Sequence, residues 1–156
     1  MIDFIKKLAS DAAQMTLQMF PAMASSDIEF KNDKDIVTKV DKAVEDFIIS
    51  TIKAKYPDHN IYAEESGRHL NGSEYCWIID PIDGTTSFVH GQPFYSVSIA
   101  LYQHGEPLLG VVAAPKLGEI FWAEKGKGAF VNGERIHVSS IAKLINFYLS
   151  TGFAFV

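Results

Sequence analysis

Two aspartates three residues apart, Asp80 and Asp83, stand in the stretch Trp77-Ile78-Ile79-Asp80-Pro81-Ile82-Asp83-Gly84-Thr85-Thr86-Ser87-Phe88. Carboxylates held a few ångströms apart repel unless one takes up a proton or a cation lies between them, and at neutral pH a divalent ion is the commoner answer. Hard oxygen donors of this kind suit Mg2+, or Mn2+ in its place. Gly84, Thr85 and Thr86 follow at once. If they open a short helix running through His90, their amides form a cradle for an anion such as phosphate. Cation and phosphate are thereby invited to one place. Taken alone, a D-x-x-D-G turn reads equally well as a capped loop, with Asp side chains bonded to backbone amides.

A second acidic stretch follows Ile61-Tyr62-Ala63, where a β-prone run ends in Glu64-Glu65-Ser66-Gly67. Adjacent glutamates are ordinarily a solvated surface pair. The apolar run Tyr75–Ile79 reads as a buried strand ending at Asp80-Pro81, since Pro81 cannot donate to a ladder. Two neighbouring strands that end at one level would set Glu64 beside Asp80, one interstrand spacing of roughly 5 Å away. A further acid, Asp41, lies in Val37-Thr38-Lys39-Val40-Asp41 and reads by itself as a first-turn residue favoured by a helix dipole.

The elements that must position these groups are legible from periodicity. Ile2, Ile5, Leu8, Ala12, Met15 and Met19 recur at helical spacing and predict a first helix ending near Pro21. Lys31 to Asp35 reads as a charged loop, and Val40, Val44, Phe47, Ile48 and Ile52 mark the buried stripe of a second helix stopped by Tyr56-Pro57. Arg68 to Glu74 reads as a loop. Beyond the aspartates, short strands are expected at Val97–Tyr102, Pro107–Ala113, Glu119–Ala123 and Ala129–Val131, separated by turn chemistry of which Asn132-Gly133 is the strongest hairpin signal. Ile141, Leu144, Ile145 and Tyr148 predict a third helix over Ile141–Leu149.

The longer string Trp77–Gly91, WIIDPIDGTTSFVHG, resembles the first signature of the inositol monophosphatase family, the Mg2+-dependent, lithium-sensitive phosphatases related to fructose-1,6-bisphosphatase. Ala63-Glu64-Glu65-Ser66-Gly67 is similar to that family's Glu-Glu-Ser element, and Val37–Asp41 to the start of its second helix. The resemblance implies an α/β (α+β layered) fold, two helices packed on a largely antiparallel sheet, with residues 1–156 forming a single N-terminal metal-binding domain. It implies Glu64, Asp80, Asp83 and the carbonyl of Ile82 as ligands of Mg2+, with Li+ as inhibitor and Glu65 placed beside the metal in the catalytic set. Asp41 and Thr85 would orient and deprotonate the attacking water, and Gly84, Thr85 and Thr86 would hold the substrate phosphate. The implied activity is hydrolysis of inositol-1-phosphate or a related small sugar or polyol phosphate by a cytoplasmic homodimer. The family's second signature, Trp-Asp-x-Ala-Ala-Gly, does not occur in this sequence. The competing expectation is therefore an inactive fragment or pseudoenzyme serving as an interaction module, its apolar Phe153, Phe155 and Val156 pairing with another chain.

Composition excludes other classes. A chain of 156 residues with 47% hydrophobic content can bury one substantial core, and a net charge of −5 without a dense basic cluster argues against a nucleic-acid partner. Lys6, Lys7 and Asp11 interrupt the first helix too early for a membrane span or a signal-peptide core, and its polar face lacks the Lys/Arg dominance of a membrane-surface helix. Cys76 is the one cysteine, expected as a small buried thiol, so an internal disulfide is impossible. The five histidines are scattered without zinc-ligand spacing, and no Gly-x-Ser-x-Gly occurs.

Overall fold

The computed structural model describes residues 1–32, 35–146 and 148. Helix α1 (Ile2–Met19) buries Ile5, Leu8, Ala9, Ala12, Ala13 and Thr16 along one face and passes into a 3-10 turn at Phe20–Ala22, where Pro21 stops the α-helical ladder. A two-stranded hairpin of β1 (Ile28–Asn32) and β2 (Asp35–Thr38) leads into α2 (Lys39–Lys55). That helix starts on a capping box. The Thr38 hydroxyl accepts from the amides of Val40 and Asp41, and the Asp41 carboxylate accepts from the Thr38 amide.

The main sheet comprises β3 (Asn60–Ala63), β4 (Gly67–His69), β5 (Tyr75–Asp83), β6 (Ser96–Gln103), β7 (Glu106–Ala114), β8 (Glu119–Glu124), β9 (Gly128–Val131) and β10 (Glu134–Ile136). In space they follow the order β10-β9-β8-β7-β6-β5-β3-β4. Consecutive strands from β5 to β10 pair antiparallel, through short turns from β6 onward and through a helical connection between β5 and β6, while β3 lies parallel to β5. Period-two alternation turns Ile61, Ala63, Trp77, Ile79, Val97, Ile99, Leu101 and Val111 inward, where they form one core with Ile5, Leu8, Val44, Ile48 and Ile52 of the helices. A third short helix, α3 (Thr85–Val89), follows β5 and buries Phe88.

Several expectations change at their edges. Strand β5 does not stop at Asp80 but runs through Pro81 to Asp83, because a bulge lets it keep its place in the sheet. The continuous apolar run in β5 is buried on one side only: Ile78 and, on β3 beside it, Tyr62 are exposed, and Cys76 is half-buried rather than buried. The supposed loop at Lys31–Asp35 contributes Lys31 and Asn32 to β1 and Asp35 to β2, and Arg68 and His69 belong to β4. The predicted helix over 141–149 is, among the described residues, a 3-10 turn at Leu144–Asn146 whose apolar side chains stay exposed, because no core face receives them. The apolar segment 151–156 lies outside the described residues.

At the start of β3 and β5, the opposite end from the acids, His59 is stacked between Tyr56 and Tyr75, at ring separations of 4.9 and 4.7 Å. The fully buried indole of Trp77 donates to His59 Nδ1 at 3.1 Å. Burial lowers the His59 pKa, which keeps the ring neutral and Nδ1 free to accept. Replacing His59 by Phe keeps the stack but strands the indole donor, and is expected to cost about 1–3 kcal/mol in urea unfolding. An unchanged midpoint would show that the hydrogen bond contributes nothing.

Candidate metal and phosphate site

The register of the ladder explains how two aspartates three residues apart reach one face. Asp80 pairs with Ser98 and Asp83 with Ser96, so three steps along β5 match two along β6. Ser96 and Ser98 share a face of their strand, and their partners therefore share it too. The extra residue is absorbed inward: Pro81 and Ile82 are both buried, whereas a regular strand would alternate.

The parallel pairing of β3 with β5 brings the third acid level with them. Ala63 pairs with Ile79, and the Glu64 amide donates to the Ile79 carbonyl at 3.1 Å, so Glu64 and Asp80 leave the sheet side by side. Burial, a hydrogen bond with Glu64 and the charges of Glu64 and Asp83 push the Asp80 pKa up to about 8, against the pull of the Ile82 amide. Asp80 Oδ1 is buried and has no hydrogen-bond partner among the described residues. Glu64, Asp80, Ile82, Asp83, Gly84, Thr85 and Thr86 line a common pocket of about 210 Å³.

Gly84 closes β5 and opens α3. Its φ of 90° is left-handed, and a Cβ there would stand 2.9 Å from the Phe94 carbonyl oxygen, so conformation and space both require glycine. The turn directs the Thr85 hydroxyl to the Ile82 carbonyl at 3.0 Å and to Asp41 Oδ1 at 3.4 Å. Asp41, buried at the start of α2, is thus brought to Thr85 across 44 positions of sequence. Burial raises the Asp41 pKa, with the Glu64 charge adding to it, although the hydrogen bonds from Thr38 and from the backbone oppose the shift.

Of the residues singled out in the sequence, Glu64, Asp80, Ile82, Asp83, Gly84, Thr85 and Thr86 share the pocket and Asp41 is reached through Thr85, whereas Glu65 does not line it and is tied by its amide to Glu45. Among the described residues no three Asp, Glu, His or Cys side chains already stand in a metal-holding arrangement. Glu64 and Asp80 are hydrogen-bonded to each other and Asp83 is turned to solvent. A ligand set here needs the backbone oxygen of Ile82 as well as side chains. The donor chemistry, all oxygen with one buried acceptor unsatisfied, fits Mg2+.

Sequence reasoning missed Glu45. It lies one helical turn beyond Asp41, is almost fully buried, and accepts from the amides of Glu65 and Ser66, both at 2.8 Å. The available signal was an acid inside the apolar stripe Val40, Val44, Ile48, where an unpaired charge would be costly.

The model of the inositol monophosphatase family matches residues 1–156. This chain belongs to that family. It is 45% identical over 137 residues to histidinol-phosphatase of Chlorobaculum parvum, covering 88% of this chain and 52% of the relative. It is 50% identical over 130 residues to inositol monophosphatase of Dictyostelium discoideum, covering 81% and 48%. The solved inositol monophosphatase of Thermotoga maritima superimposes with a TM-score of 0.82 at 44% identity, over 89% of this chain and 54% of that one. The fold is that of the family, and the chain spans about half the length of the curated relatives it matches.

Since the folded pKa of Asp80 lies above the ordinary 3.8, the folded chain holds a proton that the unfolded chain has lost, and its stability falls as pH rises toward and through about 8. Asp80→Asn should remove that penalty. Without divalent ions its melting midpoint should exceed the native one more at about pH 9 than at about pH 5. Equal shifts at both would contradict the crowding of Asp80 with Glu64 and Asp83.

Proposed function

We propose that this chain supplies the metal-binding and water-activating part of a Mg2+-dependent phosphate monoesterase acting on a small sugar or polyol phosphate, inositol-1-phosphate in the first instance. The observation that carries the reading is the convergence of Glu64, Asp80, Asp83 and the Ile82 carbonyl on one pocket whose floor continues into Gly84, Thr85 and Thr86. Glu64, Asp80, Asp83 and Ile82 would hold Mg2+, which supplies charge to the phosphoryl oxygens and lowers the pKa of a bound water.

The chain's own groups have separable tasks. The Thr85 hydroxyl has one hydrogen and two acceptors, the Ile82 carbonyl and Asp41, of which only the carboxylate can carry a proton away. With its hydrogen given to Asp41, the hydroxyl oxygen can accept from a water aimed at phosphorus. Burial makes Asp41 the better base, because it raises the carboxylate's proton affinity. The capping box holds Asp41 by the Thr38 amide and hydroxyl, leaving Oδ1 directed at Thr85. The exposed turn at Gly84 and the α3 amides offer donors to the phosphate oxygens without a competing side chain at Gly84.

Substrate selection among relatives named for histidinol phosphate and for inositol monophosphate is not decided by these groups, which address only the phosphate and its water. The homodimer, the cytoplasmic location and inhibition by Li+ follow from the same reading. The polypeptide extended to the length of its relatives should release phosphate from inositol-1-phosphate with Mg2+ and lose that release with EDTA. In it, Thr85→Ala and Asp41→Asn should lower kcat by about a hundredfold or more while moving Mn2+ affinity little. Equal losses in turnover and metal affinity would refute the division of labour, and metal-independent turnover would refute the proposed chemistry.

A further inference from the structure

Glu45 belongs to none of the roles above, yet its setting is unusual for a carboxylate. Its Oε2 accepts from the amide of Glu65 and its Oε1 from that of Ser66, each at 2.8 Å, while the side chain is 2% exposed. The acceptors come from α2 and the donors from the turn joining β3 to β4, immediately after Glu64. Three successive amides are therefore tied: Glu64 to the Ile79 carbonyl of β5, and Glu65 and Ser66 to Glu45 of α2. A turn of this kind would otherwise offer its amides to water and move with the loop.

From this geometry we infer that Glu45 is a positioning residue for the metal: it fastens the Glu64-Glu65 turn to the helix that carries Asp41, fixing Glu64 against Asp80 before any cation arrives. Asp41 and Glu45 stand four residues apart on one buried helix face, so one rigid element holds the group that meets Thr85 and the group that anchors Glu64. Two adjacent N–H donors need two acceptors at a fixed spacing, which a carboxylate supplies. A carboxamide offers one and sets an N–H against the other amide. An aspartate keeps the charge but, one methylene shorter, cannot span the same gap.

The inference rests on Glu64 being a ligand, and the test separates the two claims. Mn2+ binding to the chain is measured by water-proton relaxation for the native protein, Glu45→Gln, Glu45→Asp and Ile52→Val; the last weakens the α2 core away from the turn. Glu45→Gln and Glu45→Asp are each expected to raise the Mn2+ dissociation constant about 10- to 100-fold, as loss of a partner that orients a ligand typically does. Ile52→Val should lower the melting midpoint and leave that constant in place. If Glu45→Asp binds as the native chain does, Glu45 acts through its charge and the positioning claim falls. If Ile52→Val weakens binding equally, the effect is general loosening and the claim falls again. Native protein that binds no Mn2+ overturns the metal site itself. A readout without substitution remains should a variant not fold: by amide hydrogen exchange in the native chain, Glu65 and Ser66 should be protected like the β3 ladder, and exchange at open-loop rates would overturn the inference.

Discussion

The parallel pairing of β3 with β5 is the constraint on which the site depends. It makes Ala63 level with Ile79, and the next residue of each strand is an acid, so the fold forces Glu64 and Asp80 together at the point where backbone pairing ends. Nothing local favours that crowding. It is sustained by the core below, where Ile61, Ala63, Trp77 and Ile79 pack on α1 and α2 and fix both strands by burial that outweighs the repulsion above them. The hydrogen bond between the two side chains accommodates that crowding, at the expense of an Asp80 pKa held well above the ordinary carboxylate range.

Helix α2 couples the core to the chemistry. Its apolar stripe packs on the sheet, and its first two turns carry the acids Asp41 and Glu45 among the same buried residues. Asp41 is engaged by the capping box that starts the helix, so the carboxylate that meets Thr85 is also a reason the helix begins at Lys39. A residue that closes a helix end and faces a hydroxyl cannot be exchanged for one purpose without disturbing the other.

Most of this was legible in the sequence, for identifiable reasons. The helices showed themselves because their buried residues keep one period, and the strands from Val97 onward because Gly, Pro and Asn-Gly punctuate them. The placement of Glu64 next to Asp80 followed from two β-prone runs ending in acid. The bulge was not legible, since Pro81 looks like a terminator until the register with Ser96 and Ser98 shows that β5 passes beyond it. Neither was Glu45, whose partners are backbone amides twenty and more residues away and leave no trace in side-chain types. The false helix at 141–149 had the period of a helix but, among the described residues, no surface to bury it against, and periodicity without a partner does not fold.

The bulge in β5 also bears on where this chain can change length. A strand that admits one surplus residue between Asp80 and Asp83 has already spent its freedom at that point. Deleting that residue would leave two steps on β5 against two on β6, so Asp80 and Asp83 would still share a face, but one of the two inward side chains, Pro81 or Ile82, would be lost from beneath the pocket. Turns such as those at Gly105 and Gly126, where nothing stands within 4 Å of an added Cβ, carry no such constraint and can lengthen or shorten at little energetic cost. Tolerance of length change in this chain thus lies at such turns, whereas every residue between the two aspartates is a buried one that the core beneath the pocket already uses.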